Sequence, residues 1–198
     1  MTAAPATPET EASVTPLLRD IFGFDAFRPG QEEIVDAVTR GENVLAIMPT
    51  GGGKSLCFQL PALQRAGITV VISPLIALMR DQVRALQAVG VNAGALTSGN
   101  TEEETEAVWQ AIEAGELKLL YMAPERLASG ATLSMLHRIN VSLIAVDEAH
   151  CVSQWGHDFR PDYLRIGELR QALDVPLAAF TATADSETRE EIVRKLFD

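Results

Sequence analysis

A chain of 198 residues, 47% of them hydrophobic, is long enough for one globular domain of good size, or for one domain and a tail. It contains no run of about 18 apolar residues, so no membrane-spanning helix is predicted. The formal net charge of −11 argues against nucleic-acid binding on charge alone, because contacts with phosphates require clustered Lys and Arg.

Neither the start of the chain nor its cysteines indicate secretion. Residues 1–13 are rich in Ala, Thr, Pro and Glu, and they predict a disordered tail. A signal peptide would need a basic region and an apolar region, which this segment lacks. Cys57 and Cys151 do not form a Cys-x-x-Cys pair, which excludes a four-cysteine zinc site and a disulfide framework. A reducing compartment, the cytoplasm, is therefore expected.

From residue 15 onward, segments with helical periodicity alternate with short apolar segments. The predicted helices cover residues 15–22, 29–40, 56–63, 75–90, 101–112, 124–127, 132–139 and 162–173, and a last helix is capped by Asp185 or Ser186. The predicted strands cover residues 44–48, 68–73, 91–96, 117–122, 141–146 and 176–181. This alternation predicts an α/β fold with a parallel sheet and helices on both of its faces.

A glycine-rich stretch between an apolar strand and a helix is the strongest functional signal. Residues 49–55 read Pro-Thr-Gly-Gly-Gly-Lys-Ser. Glycines let backbone N–H groups wrap a phosphate, and the N-terminus of the following helix adds partial positive charge. Lys54 is placed to reach the β- and γ-phosphates of ATP, and the Ser55 hydroxyl to ligate Mg²⁺. The predicted nucleotide-binding residues here are Thr50, Gly51, Gly52, Gly53, Lys54 and Ser55.

The strict phosphate-loop pattern has a glycine at the position of Met48, so a flexible turn that contains Gly-Lys-Ser is the alternative interpretation. A second acidic motif favours the nucleotide site. Asp147 and Glu148 close a predicted apolar strand, and in a parallel sheet ligands bind beyond the carboxyl ends of the strands. Asp147 suits Mg²⁺, and Glu148 suits a base that polarises the attacking water. Acids that merely cap a solvated strand end are the alternative for this pair.

Further short motifs follow the phosphate loop in a fixed order. They are Ser-Pro-Leu-Ile-Ala-Leu-Met-Arg-Asp-Gln at 73–82, Thr-Ser-Gly-Asn at 97–100, Met-Ala-Pro-Glu-Arg at 122–126, Asp-Glu-Ala-His at 147–150, an aromatic-rich loop at 151–161, and Thr-Ala-Thr-Ala at 181–184. Together they resemble the N-terminal, RecA-like motor domain of the RecQ family of superfamily 2 DNA helicases. The resemblance covers nearly all of residues 15–198, and the family's phosphate loop also lacks the first glycine.

The resemblance implies that this chain belongs to an enzyme that uses ATP and Mg²⁺ to unwind duplex DNA, moving 3′ to 5′ on a single strand. It also implies that Phe24, Arg28 and Gln31 recognise adenine. A ring or guanidinium can stack on the purine, and a glutamine amide can serve both the N6 donor and the N7 acceptor. Without the resemblance, Phe24 reads as a core residue and Gln31 as a solvated helix residue.

The aromatic-rich loop is the part most specific to the family. Trp155 and Phe159 can stack on unpaired bases, and Arg160 can bind a phosphate. The resemblance gives Gln154 and His157 a role in relaying the state of the γ-phosphate to this loop. The alternative is that the two aromatic rings fill an edge of the core and that His157 is a surface residue.

Members of the family need two motor domains, with ATP in the cleft between them, and the second supplies an arginine worth about 10³–10⁵ in rate. The sequence is therefore expected to be a fragment: a monomeric, membrane-free first motor domain that partners single-stranded DNA and a second motor domain. Alone it is expected to hydrolyse ATP slowly at best. The alternatives are an ATPase acting on RNA or protein, and a non-enzymatic nucleotide-binding module.

Overall fold

The computed structural model describes residues 14–49, 53–156, 158–182 and 185–198. The predicted tail, three phosphate-loop residues (Thr50, Gly51 and Gly52) and His157 lie outside this part of the chain. Within it, no helix combines the length and the apolar character that crossing a bilayer requires.

Within the described residues, helices and strands alternate. The helices are α1 (Val14–Asp20), α2 (Gln31–Thr39), α3 (Leu56–Gln64), α4 (Ile76–Ala88), α5 (Glu102–Glu113), α6 (Gly130–Arg138), α7 (Leu164–Leu173) and α8 (Ser186–Ile192). The strands are β1 (Val44–Ile47), β2 (Ile68–Ile72), β3 (Ala93–Leu96), β4 (Leu119–Met122), β5 (Val141–Val146) and β6 (Leu177–Thr181). Short 3₁₀ turns span Pro124–Ala128, Ala149–Val152 and Pro161–Tyr163, and a π-helical turn, Val193–Phe197, continues α8.

The strands form one six-stranded sheet in the order β1-β6-β5-β2-β4-β3, and every neighbouring pair is parallel. Successive side chains of a strand point to opposite faces. In β2, Val71 belongs to one buried cluster, while Val70 and Ile72 belong to another. Helices α1–α4 contribute to the first cluster and α5–α8 to the second. The predicted parallel sheet with helices on both faces is confirmed.

The register of the sheet sets where the functional segments meet. Ile72 at the end of β2 lies opposite Val146 at the end of β5, and Ile47 at the end of β1 lies opposite Thr181 at the end of β6. The segments that follow these strands therefore leave the sheet at the same edge. This edge carries both motifs predicted to bind nucleotide and metal.

The beginning of α2 differs from the prediction. Pro29 is not the first helical residue; the helix begins at Gln31, after Gly30, which has φ 85°. A helix cannot continue through this left-handed conformation, which glycine adopts without the steric cost of a Cβ. The chain therefore makes a turn at Gly30 before α2.

The predicted cap of α5 is present in part. The Thr101 hydroxyl accepts a hydrogen bond from the Glu104 N–H at 3.1 Å. The Glu104 carboxylate, expected to complete the capping box, pairs instead with the Arg80 guanidinium at 3.2 Å. The cap of α8 follows the prediction, because Asp185 Oδ1 accepts from the Thr188 N–H at 2.8 Å.

Candidate nucleotide-binding site and aromatic loop

The lysine of the phosphate loop and the acidic pair after β5 face each other. Lys54 Nζ lies 3.6 Å from Asp147 Oδ1 and 3.7 Å from Glu148 Oε1. The three side chains are 17%, 10% and 24% exposed, so the cluster is sheltered but open on one side. An ammonium between two carboxylates balances charges that would otherwise be costly to bury. The structure thus brings Lys54 of the phosphate loop next to Asp147, which lies 93 residues later in the sequence.

Backbone contacts hold Asp147 rigidly at this edge. Its N–H donates to the Ile72 carbonyl at 2.9 Å, and its own carbonyl accepts from the Tyr163 hydroxyl at 2.9 Å. Its Oδ1 accepts from the Glu148 N–H at 2.9 Å. Burial raises the pKa of Asp147 above its ordinary value; the Lys54 ammonium opposes this shift and the Glu148 carboxylate adds to it. The charged form of Asp147 therefore depends on the cation beside it.

Glu148 has an unusual backbone conformation. Its φ of 54° is in the left-handed region, where residues other than glycine are uncommon and pay a steric cost. The sharp turn at this position points Oε1 toward Lys54, and it places Oε2 3.5 Å from His150 Nδ1. The carboxylate is thereby directed into the crevice.

The residues predicted to bind Mg²⁺ offer the donors that this ion prefers. Ser55 lies immediately before α3, and its hydroxyl does not cap that helix. Gly53, two residues earlier, has φ 78°. A serine hydroxyl and the Asp147 carboxylate are hard oxygen donors, which fit Mg²⁺. The role of each in metal binding stays a prediction.

The segment predicted to recognise adenine is joined to the phosphate loop by Gln31. The Gln31 side chain accepts from the Arg28 N–H at 2.7 Å and donates to the Gly53 carbonyl at 3.2 Å, and the residue is 3% exposed. A Cβ at Gly53 would displace the Gln31 amide, and the φ of 78° at this position favours glycine in its own right. Gln31 is a buried residue here and not the solvated one that the sequence alone favours.

Phe24 and Arg28 are exposed. A cavity of about 310 Å³ opens between this segment and the end of β1. It is lined by Arg28, Pro29, Gly30, Ile34, Ile47, Met48 and Pro49. Its position beside the phosphate loop is compatible with a base, and adenine recognition by these residues remains a prediction.

The aromatic loop leaves the acidic motif toward solvent. Trp155 is 76% exposed, Gln154 is also exposed, and Phe159 and Arg160 are half-buried. The alternative that both rings fill a core edge is therefore wrong for Trp155. Arg160 is held by its N–H, which donates to the Cys151 carbonyl at 2.9 Å, and by an ion pair with Asp158 at 3.7 Å.

Sequence reasoning gave no role to Asp158 and little weight to His150. His150 Nδ1 lies 2.9 Å from the Thr181 hydroxyl, and Nε2 lies 3.6 Å from Asp158 Oδ2. One imidazole therefore connects the acidic motif, the end of β6 and the aromatic loop. Asp158 is a charged residue inside the loop, but nothing in the sequence pairs it with a residue eight positions earlier.

Asp158, His150 and Cys151 also place possible metal ligands within 4.8 Å of one another. Burial raises the pKa of the Cys151 thiol to about 12, so it remains protonated and donates to Asp158 at 3.6 Å. The Arg160 guanidinium beside Asp158 disfavours a further cation. We therefore interpret these three side chains as a hydrogen-bonded support for the aromatic loop.

Comparison with known proteins agrees with this geometry. The DEAD/DEAH box helicase family matches residues 28–192. The chain belongs to this family. It is 48% identical over 181 residues to the ATP-dependent DNA helicase RecQ of Haemophilus influenzae, covering 91% of this chain and 29% of that protein. It is 48% identical over 207 residues to the mouse ATP-dependent DNA helicase Q5, covering 99% and 21%. The resemblance to the RecQ N-terminal domain is confirmed, and the chain spans less than a third of these relatives.

Solved helicase structures share the fold. The chain superimposes on Mycobacterium smegmatis helicase Lhr bound to ssDNA and AMP-PNP with a TM-score of 0.70 and 27% identity, covering 93% of this chain and 26% of that one. The Pyrococcus furiosus Hef helicase domain gives a TM-score of 0.67 at 24% identity, covering 90% and 37%. The predicted RecA-like fold of a helicase domain is confirmed.

Two further helicase motifs of the chain lie side by side. Arg80, in the segment 73–82, donates to the Gly99 carbonyl of the segment 97–100. The same guanidinium pairs with Glu104 on α5. The arginine thus connects two of the motifs that carry the resemblance.

Proposed function

We propose that the chain is the first motor domain of an ATP-dependent DNA helicase that couples ATP hydrolysis to 3′–5′ movement on single-stranded DNA and to duplex unwinding. The observation that carries this proposal is the cluster of Lys54 with Asp147 and Glu148 at the carboxyl edge of the sheet. The similarity to RecQ proteins supports DNA as the substrate.

Each member of the cluster has a separate role in this proposal. The Lys54 ammonium exchanges its two carboxylate partners for the β- and γ-phosphates when ATP binds. Ser55 and Asp147 hold Mg²⁺, which supplies charge neutralisation at the phosphates. Glu148 is left without its ammonium partner and orients and polarises the attacking water as a general base. Phe24, Arg28 and Gln31 select adenine.

DNA meets the domain at the aromatic loop. Trp155 and Phe159 stack on unpaired bases, and Arg160 contacts a phosphate. Gln154 and His157 relay the occupancy of the γ-phosphate site. A net charge of −11 permits few phosphate contacts elsewhere, so stacking is expected to dominate and the salt dependence of binding to be shallow. A second motor domain of the parent chain closes over the ATP, which makes turnover by this chain alone slow.

Nucleotide binding and turnover can be tested separately. Isothermal titration with Mg²⁺ and a non-hydrolysable ATP analogue should give saturable binding to the chain, and Lys54→Ala should weaken it at least about tenfold, because it removes a charged phosphate contact. Glu148→Gln should leave this binding intact and abolish residual ATP hydrolysis. Glu116→Gln, which neutralises an exposed carboxylate three residues beyond the C-terminal end of α5, serves as the matched control. Equal affinity of Lys54→Ala and the unmodified chain would refute the assignment of the site.

The polymer is identified by a second measurement. Single-stranded DNA should raise ATP hydrolysis by the parent chain more than RNA of the same sequence does. Stimulation by RNA alone would replace the proposal by an RNA-directed motor. Binding of nucleotide without any turnover in the parent chain would leave a nucleotide-binding module.

A further inference from the structure

A buried carboxylate lies outside the nucleotide site and under the aromatic loop. Glu191 on α8 is 4% exposed, and one of its oxygens accepts a hydrogen bond from the Ser153 hydroxyl, 38 residues earlier in the chain. Its other oxygen pairs with Lys195 Nζ at 3.2 Å. The Gln154 N–H also faces this carboxylate and lowers its pKa. One acid therefore binds both the side chain and the backbone at the start of the loop.

Ser153 extends the same network into the loop. Its hydroxyl accepts from the Trp155 N–H at 3.2 Å, and its carbonyl accepts from the Gly156 N–H at 3.3 Å. Ser153 itself is fully buried, whereas the Trp155 ring is 76% exposed. The backbone of this turn is thus fixed from below while the ring that it carries faces solvent.

The charge of Glu191 is stabilised where it lies. Burial raises its pKa, but the hydrogen bond from Ser153, the ammonium of Lys195 and the Gln154 N–H lower it, and the net pKa is below the ordinary value. The carboxylate is therefore ionised at neutral pH and accepts from all its partners. Hydrogen bonds to an ionised acceptor are stronger than those between neutral groups.

The element that carries Glu191 is itself held closely. Gly167 on α7 approaches the Lys195 carbonyl so closely that a Cβ there would overlap it. The π-helical turn that contains Lys195 is consequently seated against α7. π-Helical turns are rare, and many of those known lie at functional sites. The carboxylate is a firm anchor because its helix has little freedom to shift.

We propose that Glu191 is a positioning residue that anchors the Ser153–Gly156 turn to α8 and so presents the Trp155 ring to an unpaired base. The binding of an unpaired nucleic-acid base by Trp155 rests on the proposed function, whereas the anchoring of the turn by Glu191 does not. Together with the contact between His150 and Thr181, it attaches the loop at two points to the segment that contains the end of β6 and α8. A loop held in this way binds a base without first losing backbone freedom.

The anchor can be measured in this chain without nucleotide or DNA. Ser153→Ala removes one hydroxyl with minimal change of volume, Glu191→Ala removes the carboxylate, and the exposed neighbour Glu190→Ala is the matched control. Amide hydrogen exchange at Trp155 should accelerate up to about tenfold in Ser153→Ala, because the acceptor of its N–H, a hydrogen bond of about 1 kcal/mol, is lost. It should also accelerate in Glu191→Ala, because the Ser153 hydroxyl is then no longer held in place, and stay unchanged in the control. The Gln154 amide should respond more to Glu191→Ala than to Ser153→Ala. Glu191→Gln, which keeps one acceptor oxygen, should restore part of the protection.

Two results would overturn the anchor: unchanged exchange at Trp155 in both variants, or equal acceleration at the amides of β2, which would show general destabilisation. The consequence for binding is read from quenching of Trp155 fluorescence by an oligothymidylate, in a Trp109→Phe background that leaves Trp155 as the sole tryptophan. Ser153→Ala should raise the dissociation constant several-fold and leave the affinity for the ATP analogue unchanged. Unchanged oligothymidylate affinity would refute the positioning role. Absence of quenching in the Trp109→Phe protein without a further substitution would count against the proposed function. The exchange data would still show whether Glu191 anchors the turn.

Discussion

The buried hydroxyl of Tyr121 joins α3, the helix after the phosphate loop, to α4, the helix that carries most of the motif at residues 73–82. Removing this hydroxyl should lower the free energy of unfolding measurably. Tyr121 on β4 is 1% exposed. Its hydroxyl donates to Gln82 Oε1 on α4 at 2.8 Å and accepts from Gln59 Nε2 on α3 at 2.9 Å. Burial raises the pKa of Tyr121, so the hydroxyl remains a donor across the accessible pH range. Tyr121→Phe removes both bonds and keeps the ring.

The expected loss follows from what remains in the variant. Each bond contributes about 0.5–1.5 kcal/mol net, and a buried partner left unpaired costs more. Gln59 Nε2 already lies 3.4 Å from Gln82 Oε1, so these two amides can satisfy each other in part. We therefore expect the free energy of unfolding to fall by about 1–2 kcal/mol rather than by the full cost of two unpaired groups. For a domain of this size the midpoint of thermal unfolding should fall by roughly 3–6 °C.

Urea denaturation followed by circular dichroism measures this change. The midpoint should shift and the slope should stay constant, because the ring and the surface exposed on unfolding are retained. Replacing Gln59 and Gln82 by Met in the Tyr121→Phe background is the control, since apolar replacement of all partners removes the unpaired groups. This variant should recover part of the stability. A loss below about 0.3 kcal/mol in Tyr121→Phe would show that the triad adds no net stability.

Two other substitutions test different parts of the fold. Gly167→Ala should lower the free energy of unfolding by about 1–3 kcal/mol, because the added Cβ overlaps the Lys195 carbonyl. Gly130→Ala is the control and should cause no such loss, because its added Cβ meets no atom within 4 Å. Equal urea midpoints for the two variants would contradict the close approach of Gly167 to Lys195. Asp147→Asn should abolish metal-dependent ATP turnover and yet stabilise the nucleotide-free chain. The folded state raises the pKa of Asp147, so its ionisation costs stability as the pH rises through that pKa. The gain in urea midpoint of Asp147→Asn over the unmodified chain should therefore be larger at pH 8 than at pH 4. An unmodified chain that is more stable than Asp147→Asn at pH 8 would contradict this reasoning.

Local patterns predicted most of the framework. The strand Val141–Val146 has the predicted bounds, because an apolar run followed by two acids marks both its burial and its end. The pairing of Lys54 with Asp147 and Glu148 followed from the rule that parallel strands end at one edge. The start of α2 was missed because proline is favoured in a first helical turn, and the conformation of Gly30 overrides that preference.

Contacts between distant segments could not be predicted from periodicity. Without the resemblance, Gln31 reads as solvated, because its partner, the Gly53 carbonyl, is a backbone atom 22 residues away. Glu191 lies in a run of charged residues that reads as an exposed helix face, and only the packing of α8 beneath the aromatic loop reveals its burial. Glu104 fits a local capping pattern, but its carboxylate pairs with the Arg80 guanidinium of α4 instead of the helix backbone.

The left-handed backbone of Glu148 has a consequence for anyone who selects improved versions of this domain. Glycine would relieve the torsional cost at this position, so a screen that rewards heat resistance alone should favour its replacement. The same replacement deletes the acid on which hydrolysis is proposed to depend. Directed evolution toward robustness is thus expected to yield sturdy proteins without turnover unless ATP consumption is selected in the same round.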